Sequence, residues 1–310
     1  MRITRVCGAA VLAAASLMSS VVGSGGAQAQ PRCPTVTTSQ VIASPGPTGW
    51  AENLVVDGTG AIWVSRSLMN VVTRYNATGT ATASVAVNAP GSIRPGPDGD
   101  LYVASGDSTL NMIPGMPLSG TVVRIDPAAP QAKPRVFARG FGMPNGLSFD
   151  SAGNLYLADG VLGVLRLRPD GSRDQSWSAA APKDLSPASV VNGIGMNGAA
   201  VLGESLFVTL TSSMTGRVLR VATSSPPATS VAADLTAPLP GVLDDLIALD
   251  DHTLAVASTT GVLHLVDLRG GQRCSATVGV PLTALAKVPG DNATLLASSE
   301  TGQILRLGLS

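Results

Sequence analysis

Glu52, Asn145, Asn192 and Asp244 are the residues of this chain best suited to do chemistry together. Two carboxylates and two amide carbonyls make a hard-oxygen set of the kind that holds Ca²⁺ or a similar divalent ion. They stand 93, 47 and 52 residues apart, so only a fold that brings the chain back repeatedly to one point could gather them. Each opens an apolar stretch, as Glu52-Asn-Leu, Asn145-Gly-Leu, Asn192-Gly-Ile and Asp244-Asp-Leu, and two further stretches open at Gly91-Ser-Ile and Thr283-Ala-Leu. Asn, Asp and Gly also serve plain turns, which would account for any one of the four taken alone; their common register favours a shared site. Asp245 places a second carboxylate beside Asp244, and either could be the ligand.

The elements that must position these residues recur along the chain, and recurrence of this length marks a repeat architecture. The third repeat is the clearest. An apolar strand over 147–150 meets the turn Ser151-Ala-Gly-Asn, a second strand follows over 155–158, a loop over 159–162, and a third strand over 164–168 ends at Pro169-Asp-Gly. The other five copies share short, alternating strands and Asp-Gly-type turns. The sequence predicts an all-β, six-bladed β-propeller. The sixth repeat stops after its third strand, and residues 35–43 have strand composition with no repeat of their own. The N-terminal strand is therefore expected to complete the last blade and close the ring, leaving no open edge.

The chain has 310 residues, 13% of them charged, and zero formal net charge. Without a basic run, it does not fit a nucleic-acid partner. Residues 1–29 read as a cleaved signal peptide: Arg2 and Arg5, an apolar run from Val6 to Val22, and Ala27-Gln-Ala29 as the cleavage site. The run is short for a membrane span. Residues 30–310 are expected to form one exported propeller domain, secreted or in the cell envelope. Cleavage removes Cys7 and leaves Cys33 and Cys274, which export and neighbouring strands would favour as a disulfide; two separate thiols are the alternative.

The stretch Pro144-Asn-Gly-Leu-Ser-Phe-Asp-Ser-Ala-Gly-Asn-Leu-Tyr-Leu-Ala-Asp159 resembles the blade signature of the senescence-marker-protein/gluconolactonase family of six-bladed propellers, which is related to diisopropyl-fluorophosphatase and the paraoxonases. The resemblance implies a divalent ion, Ca²⁺ by expectation, held at the channel mouth by Glu52, Asn145, Asn192 and Asp244. It also implies hydrolysis of lactones or esters, with Asp244 as general base or nucleophile. The chain departs from the family where Glu52-Asn-Leu replaces the usual Glu-Gly-Pro, and it has no histidine pair. His252 falls in a turn on the opposite face and His264 inside a third strand.

A small-molecule substrate is expected at the mouth. Arg66 could bind an anionic or carbonyl oxygen there, while Asp107, Asp159 and Glu300 could give polar contacts. The long loop over 106–119, with Leu110, Met112, Ile113 and Met116, could form a lid or pocket wall. Each of these could equally be a solvated or packed loop residue. The rival function is a non-catalytic propeller that binds a ligand or protein, with a structural metal or none.

Overall fold

The computed structural model describes residues 33–184 and 190–310; the predicted signal segment over 1–29 lies outside the described residues. Strand β1 (Val36–Ile42) is followed by six antiparallel sheets, each built outward from an inner strand. Blade one is β2 (Asn53–Val56), β3 (Ile62–Arg66), β4 (Val71–Tyr75) and β5 (Ala81–Ala86). Blade two is β6 (Pro90–Pro95), β7 (Leu101–Ser105), β8 (Gly120–Ile125) and β9 (Arg135–Phe141). Blade three has only β10 (Pro144–Phe149), β11 (Leu155–Asp159) and β12 (Gly163–Leu167). Blade four is β13 (Gly193–Leu202), β14 (Ser205–Ser213), β15 (Arg217–Ala222) and β16 (Thr229–Asp234). Blade five is β17 (Leu243–Ala248), β18 (Thr253–Ser258), β19 (Val262–Asp267) and β20 (Arg273–Thr277). Blade six is β21 (Leu282–Val288), β22 (Asp291–Ser299) and β23 (Ile304–Leu309), and its fourth strand is β1, with Val36 opposite Leu309. The N-terminal strand thus closes the ring as predicted.

The repeated Asp-turn has a structural cause. Asp150 accepts from the N–H groups of Ala152 and Asn154 and from the Tyr156 hydroxyl. Asp57 does the same with Thr59, Ala61 and the Trp63 indole. One carboxylate thereby closes the hairpin and ties down the aromatic residue of the next strand.

Apolar side chains fill the wedges between blades. Leu54, Ile62 and Val64 of blade one pack with Ala284, Leu296 and Ile304 of blade six; Tyr102 of blade two packs with Leu147 and Leu155 of blade three. Each fully buried Leu or Ile contributes roughly 1.5–3 kcal/mol, so the blades stabilise one another rather than standing alone.

Blade three departs from the repeat. Where a fourth strand belongs, the chain forms the short helix α1 (Gln175–Ala180), capped by Asp174, whose side chain accepts from the Trp177 N–H. Trp177 packs edge-on against Tyr156 at 5.2 Å, and Arg166 pairs with Asp174 at 2.6 Å. The capping residue and the indole supply locally what strand pairing supplies elsewhere.

Cys33 and Cys274 form the expected disulfide, with Cα atoms 5.4 Å apart. Cys33 leads into the closing strand and Cys274 lies on β20, so the bond joins the outer strands of blades six and five beside the ring closure.

Candidate metal centre at the channel mouth

The starts of the inner strands define the site. In β6, β10, β17 and β21, and within β13, strand pairing skips two residues: between Pro90 and Ile93, Pro144 and Leu147, Leu243 and Leu246, Leu282 and Leu285, and Met196 and Ala199. The first skipped residue is Gly91, Asn145, Asp244, Thr283 or Asn197, and Glu52 holds the same place two residues before Leu54 in blade one. Freed from the ladder, Asn145 donates across to Glu52 at 3.4 Å, and the charge of Glu52 is felt at Asp244. The backbones here run so close that only glycine fits beside them. A Cβ on Gly146 would lie 2.2 Å from the Asn197 carbonyl oxygen, and one on Gly198 would lie 2.6 Å from the Asp245 Cα.

Three of the four predicted ligands therefore come together: Glu52, Asn145 and Asp244. The fourth does not. Asn192 precedes β13, accepts from the Ser213 hydroxyl (2.8 Å) and donates to Thr215 (2.9 Å), so it braces the end of blade four. Asn197 occupies the ring position instead. Both are Asn-Gly steps, and β13, which begins at Gly193 as expected, runs past the first step before its register shifts at Asn197, which hid the true register. The distance to the next hairpin distinguishes them: Asn197 stands six residues before Gly203, as Asn145 does before Ser151 and Asp244 before Asp250.

The ring is buried and acidic. Glu52 accepts from the Trp50 indole at 2.6 Å and from the Asn145 amide at 3.4 Å. Burial pushes its carboxyl above the ordinary range, against the pull of those two donors. Asp244 is 5% exposed, and burial, then Glu52 and Asp245, push its carboxyl well up. Asp245 is engaged elsewhere, pairing with Arg94 and accepting from the Asn53 amide at 2.9 Å. The register gives the ring position to Asp244, beside Asp245, whose Oδ2 takes both bonds while its buried Oδ1 has no partner. Asn197 donates to Thr211 at 3.0 Å, while its Oδ1 is buried and has no hydrogen-bond partner. A buried, unpartnered carbonyl oxygen is costly unless something electropositive meets it. Two carboxylates and two amide oxygens, one of them that orphaned acceptor, fit a divalent cation of the Ca²⁺ type.

The residues predicted to bind substrate fare differently. Arg66 is fully buried; it donates to the carbonyls of Gly49 and Gly302 and to the Tyr75 hydroxyl, joining blades one and six, and offers nothing to the mouth. Asp159 accepts from the N–H groups of Gly142, Met143, Val161 and Leu162, clamping a loop. Glu300 is half-buried near the ring, its charge felt by Glu52 and Asp244. Met112 ends a 3₁₀ turn (Thr109–Met112) and is partly exposed.

Sequence reasoning passed over a wider feature of this face. Inner-strand starts, second-strand ends and third-strand starts all lie at one end of the sheets, as pairs such as Pro144 with Asp159 and Asp159 with Gly163 require. Leu68, Met69, Leu110, Ile113, Met214 and Leu239 are all exposed on the loops at this end. Of the exposed large apolar side chains among the described residues, only Val136 and Val231, on the outer strands β9 and β16, lie elsewhere.

Features on the opposite face do not join the site. Asp250, Asp251 and His252 cluster in the β17–β18 turn, but Asp250 accepts from the N–H groups of His252 and Thr253, and Asp251 pairs with Arg269. A surface depression of about 280 Å³ on blade four is lined by Glu204, Arg220 and Ser230 among others, away from the ring.

Fold and ring together define a six-bladed propeller with an acidic channel mouth. No protein-family model and no curated protein sequence matches the chain. Solved structures match it in fold. The gluconolactonase of Xanthomonas campestris is 16% identical, with 89% of this chain and 90% of that one covered and a TM-score of 0.64. The calcium-binding protein regucalcin of Agrobacterium tumefaciens is 16% identical, covering 87% and 94%, at 0.63. The PQQ-bound aldose sugar dehydrogenase of Streptomyces coelicolor is 17% identical, covering 91% and 100%, at 0.61. At these identities the likeness is one of fold.

Proposed function

We propose that the protein is an exported, divalent-metal-dependent hydrolase of lactones or esters, with Ca²⁺ the expected ion. The observation that carries this reading is the shared inner-strand register of Glu52, Asn145, Asn197 and Asp244, with the buried Asn197 Oδ1 left without a partner. These four residues would hold the ion. When bound, it supplies Lewis-acid polarisation of a substrate carbonyl. Gluconolactonase and calcium-binding structures among those of like fold support the same reading.

The chain's own residues do the rest. Asp244, buried and surrounded by other carboxylates, is placed to hold a proton taken from an attacking water. Asp245, fixed by Arg94 and Asn53, keeps that strand start in position. The apolar rim would seat the non-polar part of a substrate and exclude water from the reacting end. Export through the segment over 1–29 belongs to the reading, and the Cys33–Cys274 bond supports it, since such bonds persist in oxidising compartments.

The test is hydrolysis of a panel of lactones and aryl esters by the mature protein, with and without chelator. Turnover that chelator abolishes and Ca²⁺ restores is expected. A protein that holds its ion firmly and turns over nothing in the panel is instead a binding propeller.

A further inference from the structure

We infer that Asp107 takes the ring position that blade two leaves empty and is the third carboxylate of the centre, an assignment that rests on the metal reading above. Gly91 occupies the register filled by Asn145, Asn197 and Asp244 in other blades, so the inner strand of blade two offers no side chain to the axis. The vacant volume is nonetheless filled. A Cβ on Gly91 would lie 3.1 Å from the Cβ of Asp107 and 3.2 Å from its Oδ2. The Asp107 carboxyl thus stands where a ring side chain from Gly91 would stand.

The local chain explains how it gets there. Just beyond the end of β7, Gly106 takes a left-handed φ of +99°, which disfavours any side chain. Gly106 donates to the carbonyls of Asn88 and Ala89, and the Asp107 N–H also donates to Ala89, at 2.9 Å. These bonds fold the loop back over the strand start and point residue 107 inward. Its carboxyl feels the charges of Glu52 and Asp159, and its own charge is felt at Asp244. Among the described residues, no ion pair includes Glu52, Asp107 or Asp244. Three carboxylates without a cation, beside the buried and unpartnered Asn197 Oδ1, lack only a multivalent positive charge. The third carboxylate should also raise affinity for a trivalent ion more than for Ca²⁺.

Binding is read without any substrate. Ca²⁺ affinity is measured by calorimetry, and Tb³⁺ binding by luminescence excited through tryptophan; the Trp50 indole sits 2.6 Å from the Glu52 carboxylate. Asp107→Asn is expected to weaken Ca²⁺ binding about tenfold or more, and Tb³⁺ binding by a larger factor. A change under about threefold for both ions, in a background where Glu52→Gln abolishes binding, overturns the role of Asp107 and leaves the metal reading standing. No binding of either ion by the unaltered protein removes both. Should Asp107→Asn fail to fold, the pair Asp107→Ala with Gly91→Asp asks the same question from the strand side. Ca²⁺ binding restored relative to Asp107→Ala alone supports the assignment, and none restored overturns it.

Discussion

On the proposed reading, Asp244 would hold the proton and Asn197 would help hold the ion. Asp244→Asn keeps an oxygen at the axis but loses the capacity to hold a proton. Turnover should fall by about 10²–10⁴-fold with the fold intact, measured as kcat beside a far-ultraviolet dichroism spectrum. Asn197→Ala should instead weaken Ca²⁺ binding, while Asn192→Ala, which loses only its bonds to Ser213 and Thr215, should leave binding unchanged. Calorimetric titration of the two variants decides between the two Asn-Gly steps. The ring carboxyls also set a pH dependence. Burial raises Glu52 and Asp244 above the ordinary carboxylate range, so the metal-free folded state keeps protons that the unfolded chain releases. Their contribution therefore turns against folding as pH rises through that range, and a bound cation must displace those protons. Ca²⁺ should bind more tightly at about pH 8 than at about pH 5, with protons released on binding.

The elements carry their own consequences. His264 on β19 donates to or accepts from Ser275 at 2.8 Å, and its other ring nitrogen is buried without a partner. Burial lowers its pKa from 6.5 to about 4. Between those values the unfolded chain takes up a proton that the native imidazole refuses, so stability present above about pH 6.5 is lost as pH falls toward 4. The loss is on the order of 3 kcal/mol at most, and His264→Gln should flatten that part of the pH–stability curve in urea unfolding. The disulfide acts at the ring closure. Replacing Cys33 and Cys274 together by Ser should cost about 2–4 kcal/mol without changing the blades. Much of this organisation was legible in the sequence because most blades repeat an Asp-bearing turn and an alternating strand pattern. Blade three was not, because Asp174 and Trp177 build a helix whose capping signal is as short as any turn. Nor was Arg66: a guanidinium at a strand end reads as a surface group, and only the carbonyls of Gly49 and Gly302, brought from opposite ends of the chain, show that it is a buried brace.

Across the whole molecule the two faces differ in chemistry. The mouth face carries the exposed Leu and Met side chains around a buried acidic centre, whereas the opposite turns carry Asp57, Asp98, Asp150 and Asp250. A substrate with an apolar arm suits this face better than a fully hydroxylated one. Across esters or lactones of rising chain length, kcat/KM should increase, by up to about fourfold per buried methylene. Leu110→Ser with Ile113→Ser should flatten that series. No helix among the described residues is long and apolar enough to cross a membrane. The most direct test of the centre itself is metal content: the mature protein, dialysed against trace Ca²⁺ and analysed by mass spectrometry of the elements, against a Glu52→Gln, Asp244→Asn double variant. One divalent ion per chain, lost in the double variant while the fold persists, is the expected result. No ion in the unaltered protein, or the same ion retained by the double variant, would contradict the assignment of the ring as a metal centre.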